Sequence, residues 1–251
     1  MPDQDQLTAS AVLSVCGTKI ELDIAVPSGP TVPSRLLPVF RAIADAVVAA
    51  AVEEAEGAGL AISCRRGCGA CCRQLVPISR LEARQLAKLV DEAEGKRKLE
   101  LVTRFERARE TLQTAGLLSK LQSTEGMTAE ERTQLGLEYF RQRIACPFLE
   151  EESCSIYSER PIACREYLVT SPAQNCANPS PKTVKCVSVP LEVSKAVRSF
   201  DAEERDADRW VPLTLALDWA GTHRESETSR PGAELIRELF SKLTGKEPPH
   251  V

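Results

Sequence analysis

Apolar and polar positions alternate from Val12 to Val26 around Gly17-Thr18, with Val15, Ile20, Leu22 and Ile24 as the apolar set. A period of two with a turn residue at its centre predicts a short β-hairpin. Pro27, Gly29, Pro30 and Pro33 then predict a linker. Beyond it the period changes. Leu36, Val39, Phe40, Ile43 and Val47 recur at helical spacing, with Ser34 as the candidate cap. Pro38 falls in the first turn, where a missing N–H is tolerated, and Gly57 and Gly59 end the helix.

Two capping boxes follow. Ser79 and Glu82 stand before Ala83, Leu86, Leu89 and Val90, and predict a helix ending near Gly95. Leu101, Phe105, Ala108 and Leu112 predict another, ending near Gly116. Thr128 and Glu131 open a third, which carries Leu137, Phe140 and Ile144. Pro172 to Pro181 reads as a loop, and Asp201 is a candidate cap for a short helix. Leu213, Leu215 and Leu217, flanked by Trp210 and Trp219, are expected in one helix. Ser229 and Pro231 open a last one with Leu235, Ile236, Leu239, Phe240 and Leu243, stopped by Gly245.

The 251 residues suffice for an ordinary core, so crosslinks are not needed to rescue a tiny domain. A net charge of −4 gives no basic excess for nucleic acid. No apolar run approaches a membrane span, and the acidic, polar start MPDQDQLTAS lacks the pattern of a secretory signal. A cytoplasmic protein with neither nucleic acid nor membrane as partner is therefore expected.

Ten cysteines change the picture. In a reducing compartment, clustered cysteines read as metal ligands or redox thiols before disulfides. Cys64, Cys68, Cys71 and Cys72 form the first cluster; Cys146, Cys154 and Cys164 form the second, and Cys176 follows. Gly67 and Gly69 permit the tight backbone that wraps thiolates around one cation. Four thiolates suit Zn²⁺ or an iron–sulfur cluster. Only two histidines exist, His223 and His250, neither near a cysteine in sequence, so cysteine would supply nearly all ligands. Cys71 and Cys72 are adjacent, and neighbouring side chains diverge, which points to two nearby centres or to one centre plus a free thiol.

Such a centre carries a net charge near minus two, costly to bury without facing cations or N–H donors. Arg65, Arg66, Arg73, Arg160 and Arg165 flank the cysteines and are candidates for that role, although Arg65 and Arg66 also read as solvated surface. Phe148, Leu149, Ile156 and Tyr157 read as packing. Cys16 reads as a small core residue, and Cys186 as a non-ligand. The expected fold is mainly α: an irregular helical domain around a cysteine-ligated metal centre, with a small N-terminal β-hairpin. The expected divisions are 1–33 for hairpin and linker, 34–188 for the metal-binding domain and 189–251 for a C-terminal helical extension.

These motifs resemble the YkgJ-type cysteine-cluster family, a zinc- or iron-chelating domain. Cys154, Ile156, Tyr157, Arg160, Pro161, Cys164 and Arg165 match its downstream element position by position. Gly69, Cys71 and Cys72 match the end of its first cluster, while Cys146 and Cys176 match flanking cysteines. The Cys64–Cys68 spacing is x3 where the family has x2. The resemblance implies metal binding. Its members carry Fe–S oxidoreductase labels, and similar clusters occur in flagellin lysine N-methylases. The leading expectation is an iron–sulfur cluster, four-iron by preference, or Zn²⁺, in an electron-transfer protein with a redox or protein partner. A zinc-stabilised interaction scaffold and a metal-assisted enzyme are the alternatives. No dinucleotide turn, P-loop, His-Glu-x-x-His or Gly-x-Ser-x-Gly motif decides the enzyme question.

Overall fold

The computed structural model describes residues 6–124, 126–180, 182–200, 210–224 and 227–245. The chain opens with β1 (Gln6–Val15) and β2 (Thr18–Pro27), paired antiparallel with Val15 opposite Thr18 and Ala9 opposite Ile24. The turn is Cys16-Gly17, one residue earlier than the alternation suggests. Both residues have positive φ, 50° and 80°, as a two-residue hairpin turn of the twisted kind requires. Next come β3 (Pro30–Thr31), a 3-10 turn at Pro33–Leu36 and α1 (Leu37–Gly57). Ser34 lies inside that 3-10 turn rather than capping α1, and its backbone N–H donates to Glu227 Oε2 at 2.7 Å.

β4 (Pro77–Ile78) leads into α2 (Arg80–Glu92), α3 (Gly95–Thr114), α4 (Leu118–Gln122) and α5 (Ala129–Arg141). Both capping boxes form, at Ser79/Glu82 and Thr128/Glu131. Ile144, expected on the third of these helices, lies beyond its end. The second cysteine stretch contains β5 (Leu149–Glu150), β6 (Ser153–Cys154) and α6 (Ile162–Glu166). The C-terminal part adds α7 (Val193–Arg198), β7 (Val211–Pro212), α8 (Ala216–Thr222), β8 (Arg230–Pro231) and α9 (Gly232–Thr244), which ends on Gly245. The stretch around the tryptophans is not one helix. Val211–Pro212 pairs with β4, Leu213–Leu215 is a 3-10 turn, and only Ala216 onward is α-helical. Pro212 withholds the N–H a helix would use there. Ser229 does not cap α9, because β8 stands between them. Asp201 and His250 lie outside the described residues.

The fold is thus mainly α with an N-terminal β-hairpin. One core joins the inner hairpin face (Leu13, Val15, Ile24, Val26) to α1, α7 and α9, and takes in Ile162 of α6. A second joins α2 and α3 to Phe148, Ile156, Val211 and Leu213. A third packs the end of α3 against α4, α5 and Leu215. Cys146 and Cys154 pack on the second core, whereas α6, which carries Cys164, lies against α1. Among the described residues no helix is long and apolar enough to cross a membrane.

Candidate metal centre

The first cysteine stretch runs from α1 to β4 through successive tight turns. Cys68 N–H donates to Arg65 O (3.1 Å), Cys72 N–H to Gly69 O (3.0 Å) and Gln74 N–H to Cys71 O (3.0 Å). Its start is pinned from the far side. Ser63 N–H donates to Val169 O at 2.9 Å, and Val169 N–H donates to Cys64 Sγ at 3.3 Å. Such an N–H···S contact favours a thiolate over a thiol.

The second stretch is joined directly to the first. Cys146 N–H donates to Cys72 O at 2.7 Å. The β5–β6 hairpin then sets Cys154 opposite Leu149, through a turn in which Glu151 and Glu152 both have positive φ. This turn presses on Gly69. A Cβ there would stand 2.7 Å from both Glu152 O and Leu149 Cδ1, so only glycine fits. Arg73 adds a fork on Glu152, at 2.6 and 3.0 Å.

Cys164 is placed by its helix. Pro161 precedes α6 and accepts the Cys164 N–H at 3.0 Å. The first amide of α6, Ile162 N–H, donates to Glu82 Oε1 at 2.8 Å, while Glu82 Oε2 accepts from Ser79 in the capping box. From α1, Asp45 accepts two contacts from buried Arg165 at 2.7 and 3.0 Å, and Arg41 pairs with Glu159. Arg165 Nε also donates to Arg160 O at 3.1 Å, so the same guanidinium ties α1 to the turn before α6.

Cys68, Cys71, Cys72, Cys146, Cys154 and Cys164 line one cavity of about 160 Å³, walled also by Phe148, Ile156, Tyr157, Arg160, Tyr167 and Leu213. Among the described residues, no three His, Cys, Asp or Glu side chains close up tightly enough to hold a metal ion; the thiols stand around a space instead. Burial pushes the Cys146 thiol up to about 12, with Cys154 and Cys71 adding to the rise. Cys164 is also raised well above the ordinary thiol value, by burial and then by Cys146, Cys71 and Cys154. Cys154 is raised by burial against the opposing charge of Arg160. Cys71 is raised first by its hydrogen bond with Cys72 and then by burial. Cys71 thus bears on the other three, and a cation among the four would relieve the cost of ionising them.

Cys64 and Cys68 line an adjoining open cleft with Arg65, Arg73 and Arg143. Cys176 is buried and bonded to Tyr167, and is raised to about 11 by burial, with Cys71, Cys64 and Cys68 contributing. Tyr167 OH also accepts from Gln74 Nε2 at 3.1 Å. All ten cysteines are free thiols. Cys186 is exposed beside Val169, and Cys16 sits in the hairpin turn, packed on the first core and lining neither cysteine cavity. His223 stacks on Trp219, outside the cysteine cavity.

The flanking arginines divide their work. Arg160 faces the cavity, and its charge favours the thiolates of Cys71 and Cys154. Its guanidinium lies over the Tyr157 ring at 4.4 Å, with Arg66 over the same ring at 5.3 Å. Arg73 and Arg165 are held by carboxylates instead. Glu82, Tyr167 and Gln74 were not legible as site residues. Glu82 shows in sequence only as a cap, and no motif marks the other two.

Residues 63–187 match the CxxCxxCC family model, described as "Putative zinc- or iron-chelating domain". No curated protein and no solved structure matches the chain.

Proposed function

Residues 63–187 belong to that zinc- or iron-chelating cysteine-cluster family, and from this premise we propose that the chain binds an iron–sulfur cluster and passes electrons to a redox partner. The observation that carries the reading is the single cavity lined by cysteines from both stretches. Its volume of about 160 Å³ is roughly ten times the space one water needs on the same measure. A multi-atom cluster suits that space better than one bare ion.

The donor set fits such a group. Cys71, Cys146, Cys154 and Cys164 are the proposed ligands of a four-iron cluster, since Cys71 raises the other three and Cys146 and Cys154 both add to the rise of Cys164. Arg160 Nε is buried without a hydrogen-bond partner, and would donate to the sulfur of an anionic centre. When bound, the cluster supplies one-electron transfer. Phe148, Ile156 and Leu213 keep water from the thiolates, and Arg160 offsets their charge. Cys64, Cys68, Cys72 and Cys176 are proposed as a second, outer set. Cys64 and Cys68 line the adjoining cleft, Cys64 and Cys176 both sense Cys71 and then Cys68, and Cys72 bonds to Cys71, so the two sets adjoin.

Anaerobic purification with iron, acid-labile sulfide and zinc analysis tests the reading. Brown protein with stoichiometric iron and sulfide is expected. Colourless protein with stoichiometric zinc would replace it with a zinc-stabilised scaffold.

A further inference from the structure

A second concave site lies outside the cysteine region. The chain's only two tryptophans, Trp210 and Trp219, both line a cleft of about 920 Å³ bounded by α2, α3 and α8. That volume falls in the range of small-molecule sites, roughly 300–1,000 Å³. No cysteine lines it. The β4–β7 ladder forms a shared wall: Val76, Pro77 and Leu213 border the cysteine cavity, while Val211 and Pro212 border the cleft.

The lining has a definite chemistry. Arg84 and Arg109 line it together with one carboxylate, Asp218. Asp218 accepts from Arg109 Nε at 2.6 Å. The Arg84 guanidinium lies 5.4 Å from the centre of the Trp219 ring and has no carboxylate partner among the described residues. His223 stacks parallel on Trp219, with centroids 4.6 Å apart and planes 10° from coplanar. The Arg84 charge beside an ordered aromatic stack selects for a ligand that is both anionic and flat.

We propose that this cleft binds a small organic anion carrying a planar ring, the chemistry shared by a nucleoside phosphate and an aromatic carboxylate. The arginines take the anionic group, and Trp219 and Trp210 border the ring. The site is independent of the metal reading, because none of its residues is a cysteine.

Intrinsic tryptophan fluorescence reports this cleft alone, since both tryptophans line it. The full chain is titrated with adenosine monophosphate and with benzoate, each against its uncharged counterpart, adenosine or benzamide. At least one anion should change the emission with a Kd below about 1 mM, and the better of the two identifies the source. The uncharged counterpart should bind about tenfold more weakly, the loss expected for one charge-assisted contact. Arg84→Gln should weaken the anion by a similar factor while leaving the melting temperature and the metal content unchanged. Arg109→Gln provides the same test should Arg84→Gln fail to fold. No emission change with either anion, equal binding of the uncharged counterpart, or undiminished binding by the folded arginine variant overturns the proposal.

Discussion

Glu82 and Ile162 stand 80 residues apart, yet the carboxylate of one holds the backbone N–H of the other at 2.8 Å. The same carboxylate closes the cap of α2, so the start of α2 and the start of α6 share one buried side chain. Glu82→Gln leaves one oxygen for donors that now use two, and sets an NH₂ group against one of them. A loss of about 1–3 kcal/mol is expected, the cost of a buried donor left unpaired. Urea denaturation checks it, and an unchanged midpoint would show that the carboxylate holds nothing.

Gly69 and Gly67 separate two kinds of glycine requirement. Gly69→Ala drives a Cβ into Glu152 O and Leu149 Cδ1, both at 2.7 Å, and must push the first cysteine turn off the β5–β6 hairpin. Overpacking of this kind costs about 1–3 kcal/mol, and metal content should fall with it. Gly67→Ala meets open space and suffers only at φ +85°, a local strain of about 1–2 kcal/mol. It should retain more metal than Gly69→Ala in parallel assays; the reverse order would count against the close approach.

Cys71→Ser and Cys164→Ser should each lower metal content and destabilise the fold, because ligand binding contributes to folding free energy. Cys16→Ser should do neither, since Cys16 lies in the hairpin turn. Full metal stoichiometry in Cys164→Ser would remove it from the ligand set.

The buried thiols give metal uptake a pH dependence of known sign. Cys146 is held up to about 12 and Cys176 to about 11, both by burial. The folded, metal-free chain therefore keeps protons that the unfolded chain releases near the ordinary thiol pKa of about 8.5. This stabilisation is complete below that pH and fades as pH rises toward the folded values. Metal-free protein should melt at lower temperature at pH 10 than at pH 7. Uptake requires the same protons to leave, so affinity for added Zn²⁺ should rise with pH and release protons. Equal melting temperatures at both pH values would contradict the burial of these groups.

Local signals in the sequence carried much of the helical fold. Ser79/Glu82 and Thr128/Glu131 name their helices because a cap is a contact between residues three apart. The hairpin turn was displaced by one residue, because Cys16 adopts a positive φ that its side chain does not advertise. Trp210 to Trp219 misled through its apolar spacing, while Pro212 and its pairing with Pro77 decide otherwise. At the candidate site the thiols were legible and their supports were not. The partners of Arg165, Arg73 and Ile162 come from elements dozens of residues away. Nothing in a local pattern encodes such distant pairs.

The main chain leaves Cys72 and comes back to it at Cys146, through one hydrogen bond. The intervening helices are therefore a detour that begins and finishes at the same point. Within that detour, the link from α4 to α5 carries no cysteine, and lengthening it is expected to leave the sulfurs in place. Doubling such a link costs only on the order of 0.6 kcal/mol. The length of the excursion can drift while the geometry at its gate stays fixed.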